Sequence, residues 1–150
     1  IGDLAGPMTF AILMGSARAF YGKFGDKINL DQFMIGSSAL CILSYLTISL
    51  SASQLIALIG CSICGLSVGI MWPGTFSKAS ASLRNGGTAL FALLALAGDA
   101  GCSGGPTLVG FVSDIASENL KMGILAGVIF PVLLVVSILL LRTVRENRKD

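Results

Sequence analysis

The sequence predicts an all-α protein, built as a polytopic membrane bundle of five transmembrane helices, and three observations support that prediction. Of the 150 residues, 54% are hydrophobic and 12% are charged, against about 25% charged residues in typical soluble domains. No charge lies between Asp31 and Lys78. Because one span needs about 20 apolar residues, this interval holds two spans and a turn. The basic residues gather in short segments between apolar runs.

Polar segments separate the apolar runs and define the helices in order. The first helix ends at a polar loop, residues 23–31, and the second ends at the only polar break in the uncharged interval, residues 51–54. The third and fourth helices end at polar loops, residues 77–85 and 113–121, and a basic tail from residue 142 follows the fifth. The predicted helices are Leu4–Gly22, Gln32–Leu50, Leu55–Phe76, Gly87–Val112 and Met122–Leu141.

The positions of the lysines and arginines predict which side of the membrane each loop faces. Five spans with short connections place the loops after the first and third helices, and the tail, on one side. Among the loops of the opposite side, Lys121 is the only basic residue. Because basic loops stay in the cytoplasm, we predict a multi-pass protein of the plasma (cytoplasmic) membrane with a cytoplasmic C-terminus.

Several chemistries are not expected from this composition. The chain has no histidine, which removes His-based triads and most catalytic zinc sites. Cys61 and Cys64 form a CxxC inside an apolar helix without a second ligand pair, so we expect them to pack as small residues, as do Cys41 and Cys102. Topology accounts for the basic residues. We therefore predict no enzyme, no cofactor, no metal site and no nucleic-acid partner.

One carboxylate, Asp99, lies within the apolar fourth helix. No other charge occurs between Asn85 and Ser113. Asp99 comes 12 residues after Gly87, which at about 1.5 Å per residue places it about 18 Å into the span, near the membrane midplane. A carboxylate is costly in lipid at that depth, so we predict that it lines a cavity and binds a proton, a cation or a polar group of a substrate. The alternative is that it caps a neighbouring helix or pairs with a part of the protein outside this chain.

Glycine and proline interrupt the predicted spans. Gly101 and Gly105 are four residues apart on one helix face, a spacing that favours close helix contact. Pro73 and Pro106 each remove a backbone donor, and such interrupted spans are typical of transporter sites. We predict packing and hinge roles for these four residues, with static packing as the alternative. The same glycine spacing recurs at Gly2 and Gly6, Gly65 and Gly69, and Gly123 and Gly127.

The loop after the first helix resembles a loop signature of the major facilitator superfamily, G-x-x-x-D-[RK]-x-G-[RK]-[RK]. Gly22, Asp26 and Lys27 match it, whereas Asn29 stands at the second glycine and the terminal basic pair is absent. Arg18 is similar to the arginine often found late in the preceding helix of that family. The segment 69–73 resembles the end of the tenth helix of the family, and 101–110 resembles its eleventh.

The resemblance implies that residues 1–150 are helices eight to twelve, the C-terminal transmembrane domain of a sugar-permease-like transporter whose N-terminal half and one further helix are missing. It implies secondary active transport of a small solute, a sugar or similar metabolite, by alternating access and coupled to a proton or cation. The lipid bilayer and the missing half would be its partners. Arg18, Gly22, Asp26 and Lys27 would belong to a cytoplasmic gate, unless Asp26 and Lys27 only set topology. A non-transporting receptor or scaffold, and an efflux carrier of the same family, remain alternatives.

Overall fold

The computed structural model describes residues 2–25, 28–83 and 86–147, and side chains within 4–25, 28–83 and 86–143. This part of the chain is helical throughout apart from its short connections. The predicted all-α class is therefore confirmed. The helices are α1 Gly2–Phe24, α2 Leu30–Leu50, α3 Gln54–Ser82, α4 Gly87–Ile115, α5 Leu120–Ala126 and α6 Ile129–Asn147.

Four segments are long and apolar enough to cross a membrane, namely α2, α3, α4 and residues 120–143. This is the pattern of a membrane protein, with one candidate span fewer than the five predicted. α1 is a helix of 23 residues, yet it is not among the four, since Arg18 lies inside its apolar run and lowers the hydropathy of that stretch.

The last predicted helix is divided in two. α5 ends at Ala126 and α6 begins at Ile129, with turns at Gly127 and Val128. Pro131 has no N–H to donate to the Gly127 carbonyl, and that carbonyl accepts the Phe130 N–H instead, at 3.2 Å. Gly127 and Val128 likewise donate to carbonyls three residues earlier, so the hydrogen bonds tighten here and the regular helical pattern stops.

α1 packs along α3 through glycine contacts. A Cβ on Gly65 would overlap the Phe10 backbone, and a Cβ on Gly69 would lie 2.7 Å from the Met14 carbonyl oxygen. Residue numbers rise together along the two helices, so they are parallel. Ser62 Oγ also donates to Thr9 Oγ1 at 2.8 Å. This glycine pair therefore makes the close contact that its spacing predicts.

α2 runs antiparallel to α3 on another face of that helix. A Cβ on Gly60, near the start of α3, would lie 2.9 Å from the Ile48 side chain, and one on Gly74, near its end, would lie 3.1 Å from Met34 Sδ. Ser38 and other buried hydroxyls of the pair donate to carbonyls of their own helix. No buried side-chain oxygen or nitrogen among the described residues lacks a hydrogen-bond partner, so these polar residues are compatible with an apolar surrounding.

Contacts at the two ends of the bundle show which segments share a side. At one end, Lys78 Nζ of α3 forms an ion pair with Asp31 Oδ1 of α2 at 2.6 Å, and Tyr21 Oη of α1 donates to Ser77 Oγ at 3.4 Å. At the opposite end, Lys121 Nζ donates to the Ser51 carbonyl at 2.6 Å. The loop after α1 and the end of α3 thus lie together, and the α2–α3 turn lies with the start of α5.

α4 is the least buried of the long helices. It contacts α5 where a Cβ on Gly123 would overlap the Val109 carbonyl oxygen, and it meets α3 only near its first half. A Cβ on Gly101 or on Gly105 would have no atom within 4 Å. The close contact predicted for these two glycines is therefore not made within the described chain, because α4 is separated from its neighbours by a cavity at that level.

Candidate functional site

A cavity of 770 Å³ separates α4 from α1, α2, α3 and α6, and is called the central cavity below. Most of its wall is apolar or small. Among the described residues, its Asp, Glu, Lys or Arg side chains are Arg18 of α1 and Asp99 of α4 alone. Trp72 of α3, Tyr45 of α2 and Phe130 of α6 supply aromatic surface. The volume lies within the range of about 300–1,000 Å³ that is usual for small-molecule sites.

Asp99 reaches the central cavity from the middle of α4. It lies 12 residues from Gly87 and 16 from Ile115, or about 18 Å and 24 Å at 1.5 Å per residue. The residue is exposed and lines the cavity. No hydrogen bond or ion pair joins it to another described residue. Its carboxylate is therefore open to an occupant of the cavity; binding of a proton, cation or substrate remains a prediction.

Arg18 reaches the same cavity from α1 and is anchored to α3. Its Nε donates to the Gly69 carbonyl oxygen at 3.3 Å. That carbonyl is available because Pro73, four residues later, has no N–H to donate to it. Ala17, only 3% exposed, packs against Gly69 and fixes this face of α1. Pro73 thus creates an acceptor at mid-helix, and Arg18 satisfies it.

Gly98, the neighbour of Asp99, lies against the indole of Trp72. A Cβ on Gly98 would lie 2.8 Å from Trp72 Cζ3 and closer still to the ring edge. Trp72 packs edge-on to Phe76 with ring centroids 4.7 Å apart, and Phe76 stacks on Phe91 of α4 at 5.7 Å. This row of rings, the aromatic cluster, joins α3 to α4 beside the central cavity.

The cysteines differ in exposure, and two of them, Cys41 and Cys102, line the central cavity. Cys41 is 2% exposed and Cys64 is 5% exposed, as expected for small packing residues. Cys102 is exposed and lines the central cavity, which differs from the expectation. Its carbonyl loses its helical donor because Pro106 lies four residues later, and α4 nevertheless continues to Ile115. Pro73 and Pro106 therefore release carbonyls without ending their helices, and hinge motion at them remains a prediction.

Only Arg18 and Gly22 of the predicted gate are among the described residues. Asp26 and Lys27 lie outside the described residues. Gly22 is exposed near the end of α1, and a Cβ on it would meet no atom within 4 Å. Arg18 lines the central cavity together with Asp99, a juxtaposition that sequence reasoning missed, and its role in a gate stays a prediction. The position of Pro73 could have indicated this contact. It predicts that the Gly69 carbonyl lacks its helical donor and therefore accepts a hydrogen bond from another side chain.

Comparison with known proteins identifies no relative of the chain. No protein-family model matches it, and neither a curated protein nor a solved structure is significantly similar to it. The resemblance to the major facilitator superfamily therefore stays a prediction that rests on the residues quoted above.

Proposed function

We propose that this chain is the C-terminal transmembrane domain of a secondary active transporter, and that the central cavity is its solute site. One observation carries the proposal: two opposite charges, on Arg18 and Asp99, line a single cavity between apolar helices. Charges within membrane helices are costly and usually mark ion or substrate pathways. A receptor or scaffold that uses the same helices only for packing needs neither charge.

The depth of Asp99 supports a transport site. Asp99 lies near the middle of α4, and Arg18 contacts Gly69, which is 15 residues from Gln54 and 13 from Ser82 in α3. Those separations are about 22 Å and 20 Å along the helix. Asp99 therefore lies near the half-height of the bundle, where solute sites of secondary transporters are found, while Arg18, six residues before Phe24, reaches the same cavity from nearer the end of α1.

The uneven packing of α4 supports alternating access. One part of α4 is joined to α3 by the aromatic cluster, and another is held against α5 at Gly123. The intervening segment with Gly101 and Gly105 has free space around it. We assign that face to the N-terminal half of the same transporter, which would close the cavity and rock against this domain.

The proposed solute is a small metabolite such as a sugar, and Asp99 is the proposed site of the coupling proton or cation. An efflux carrier would use the same site in the opposite direction. The proposed location is the plasma membrane, with the C-terminus in the cytoplasm because the basic loops stay on that side. Four apolar helices support the membrane location, and α1 is the proposed fifth span.

Transport by the complete protein in liposomes tests the proposal. A panel of labelled sugars and small metabolites is offered with and without proton or sodium gradients, and Asp99→Asn is compared with the wild type. We expect Asp99→Asn to reduce uptake of the transported solute at least about tenfold, because removing an interaction worth about 1.4 kcal/mol changes an equilibrium tenfold.

The control is Asp114→Asn, which removes an exposed carboxylate near the end of the same helix. It does not line the central cavity, so wild-type uptake is expected. Absence of transport for every solute in well-folded protein would favour the receptor or scaffold. Unchanged uptake and unchanged gradient dependence in Asp99→Asn would remove Asp99 from the mechanism.

A further inference from the structure

We infer that the solute of the central cavity is a small zwitterion, whose carboxylate binds Arg18 and whose ammonium group binds Asp99. The inference rests on the proposed transport function, but it replaces the sugar by a zwitterion among small metabolites and assigns Asp99 to the solute rather than to a coupling ion. Its starting point is that the two opposite charges line one cavity without pairing. Arg18 and Asp99 form no ion pair with each other. Their charged groups are therefore more than 4 Å apart.

Arg18 is built to bind a carboxylate. Its Nε is engaged by the Gly69 carbonyl oxygen, which leaves the two terminal guanidinium nitrogens without a described protein partner. These nitrogens form a planar fork that matches the two oxygens of a carboxylate. Because the anchor is on the backbone of α3, the fork is held in place before a solute arrives.

Asp99 supplies the complementary site for a cation. Its carboxylate has no partner among the described groups, and the Trp72 indole packs on Gly98, the preceding residue. Trp72 lines the central cavity together with Asp99. The backbone of Gly98 allows this close approach because it carries no side chain.

The two charges together discriminate between solute classes. A simple carboxylate would bind Arg18 but leave Asp99 unpaired in a largely apolar cavity, and a simple amine would do the reverse. An uncharged sugar would leave both charges unpaired. Both residues are exposed to the cavity, and a solute that covers one of these charges without pairing it removes the hydration of that charge, which is unfavourable. A molecule that carries both charges at the right separation satisfies both residues, and the volume of 770 Å³ accepts one of modest size.

A series of ω-amino acids tests the inference on the full-length protein in detergent. Glycine, β-alanine, 4-aminobutyrate and 6-aminohexanoate carry the same two charges at increasing separation, while butyrate, butylamine and glucose serve as anionic, cationic and uncharged probes. Binding is measured as a rise in Tm, since a ligand that binds only the folded state stabilises it. We expect one or two zwitterions of the series to bind at least about tenfold more tightly than the other three probes.

Charge-removing variants give a result that misfolding cannot mimic. Asp99→Asn is expected to stop binding the zwitterion and to bind butyrate. Arg18→Gln is expected to stop binding the zwitterion and to bind butylamine. Asp114→Asn is expected to bind like the wild type. Uptake of the best zwitterion into liposomes is then measured with the same variants.

The outcomes separate this inference from the proposed function. Transport of glucose or another sugar, with no binding of any zwitterion, would overturn the inference and leave the transporter in place. Binding of a zwitterion without its transport would support the site and contradict the proposed function. Zwitterion binding that survives in both Arg18→Gln and Asp99→Asn would overturn the assignment to these residues.

Discussion

α3 meets α1 and α4 in opposite ways. Against α1, Gly65 and Gly69 bring two backbones into contact, and Ala17 is buried between them. Against α4, the indole of Trp72 keeps the helices apart at Gly98, and the central cavity opens beside it. Glycine serves backbone contact in the first case and makes room for an aromatic ring in the second. The glycines of α3 therefore mark a fixed interface with α1, whereas Gly98 of α4 borders the central cavity.

The largest expected effect is at the fixed interface. Gly65→Leu would place a side chain where the Phe10 backbone lies, and neither helix backbone can yield as a flexible side chain could. We expect a loss of at least about 3 kcal/mol in unfolding free energy, the upper end of the usual cost of overpacking. Thermal unfolding and the yield of monodisperse protein measure it.

Gly101→Leu is the matched change on α4, where a Cβ has free space. Equal damage by both substitutions would mean that part of the complete protein outside this chain covers the face that carries Gly101 and Gly105. If Gly65→Leu destabilises the protein while Gly101→Leu does not, the close contact is at α1 and α3 and not at Gly101.

A medium effect is expected where the aromatic ring meets α4. Gly98→Ala adds a methyl group 2.8 Å from Trp72 Cζ3, so the indole must shift. We expect a cost of about 1–3 kcal/mol, measured as a fall in Tm. Trp72→Phe in the Gly98→Ala background should recover part of it, because the smaller ring frees the space. Additive effects of the two substitutions would contradict direct contact, since coupled neighbours deviate from additivity.

The smallest effect is expected at the end of the bundle. Asp31→Asn removes the carboxylate that pairs with Lys78 at 2.6 Å, where the two side chains are 34% and 19% exposed. Partly exposed pairs contribute about 0–1 kcal/mol, so the stability loss should not exceed about 1 kcal/mol and should shrink in high salt. Glu118→Gln, at an exposed turn residue, is the control. A loss above about 3 kcal/mol would show that the pair holds α2 and α3 together.

The helices were largely predictable because long apolar runs between polar segments determine them. The exceptions have local causes. α3 continues through Pro73 to Ser82, since a proline inside a helix removes one bond without forcing the chain to stop. The break at Gly127 is not predicted from the sequence, because Pro131 does not determine it alone: α3 and α4 continue through their prolines. In both cases the predicted and observed helix ends differ because backbone hydrogen bonds set them, and hydropathy carries no information on those bonds.

The candidate site was predictable only in part. Asp99 drew attention as a lone carboxylate in an apolar run, and the structure places it on the cavity wall. The resemblance to the major facilitator superfamily gives Arg18, late in the first helix, to a cytoplasmic gate, which stays a prediction, but the sequence does not show that Arg18 and Asp99 share a cavity. The face that Arg18 presents depends on how Gly69 and Ala17 pack, and that contact joins residues about fifty positions apart.

The anchor of Arg18 on Gly69 has a consequence for conformational entropy. An arginine side chain carries about 2 kcal/mol of rotamer entropy, which is usually lost when a ligand fixes it. Here the hydrogen bond from Nε to the Gly69 carbonyl oxygen already restricts the guanidinium plane in the empty protein. Part of that entropy is therefore lost during folding rather than on binding, and Pro73, which frees the carbonyl, preorganises Arg18 for the carboxylate proposed above.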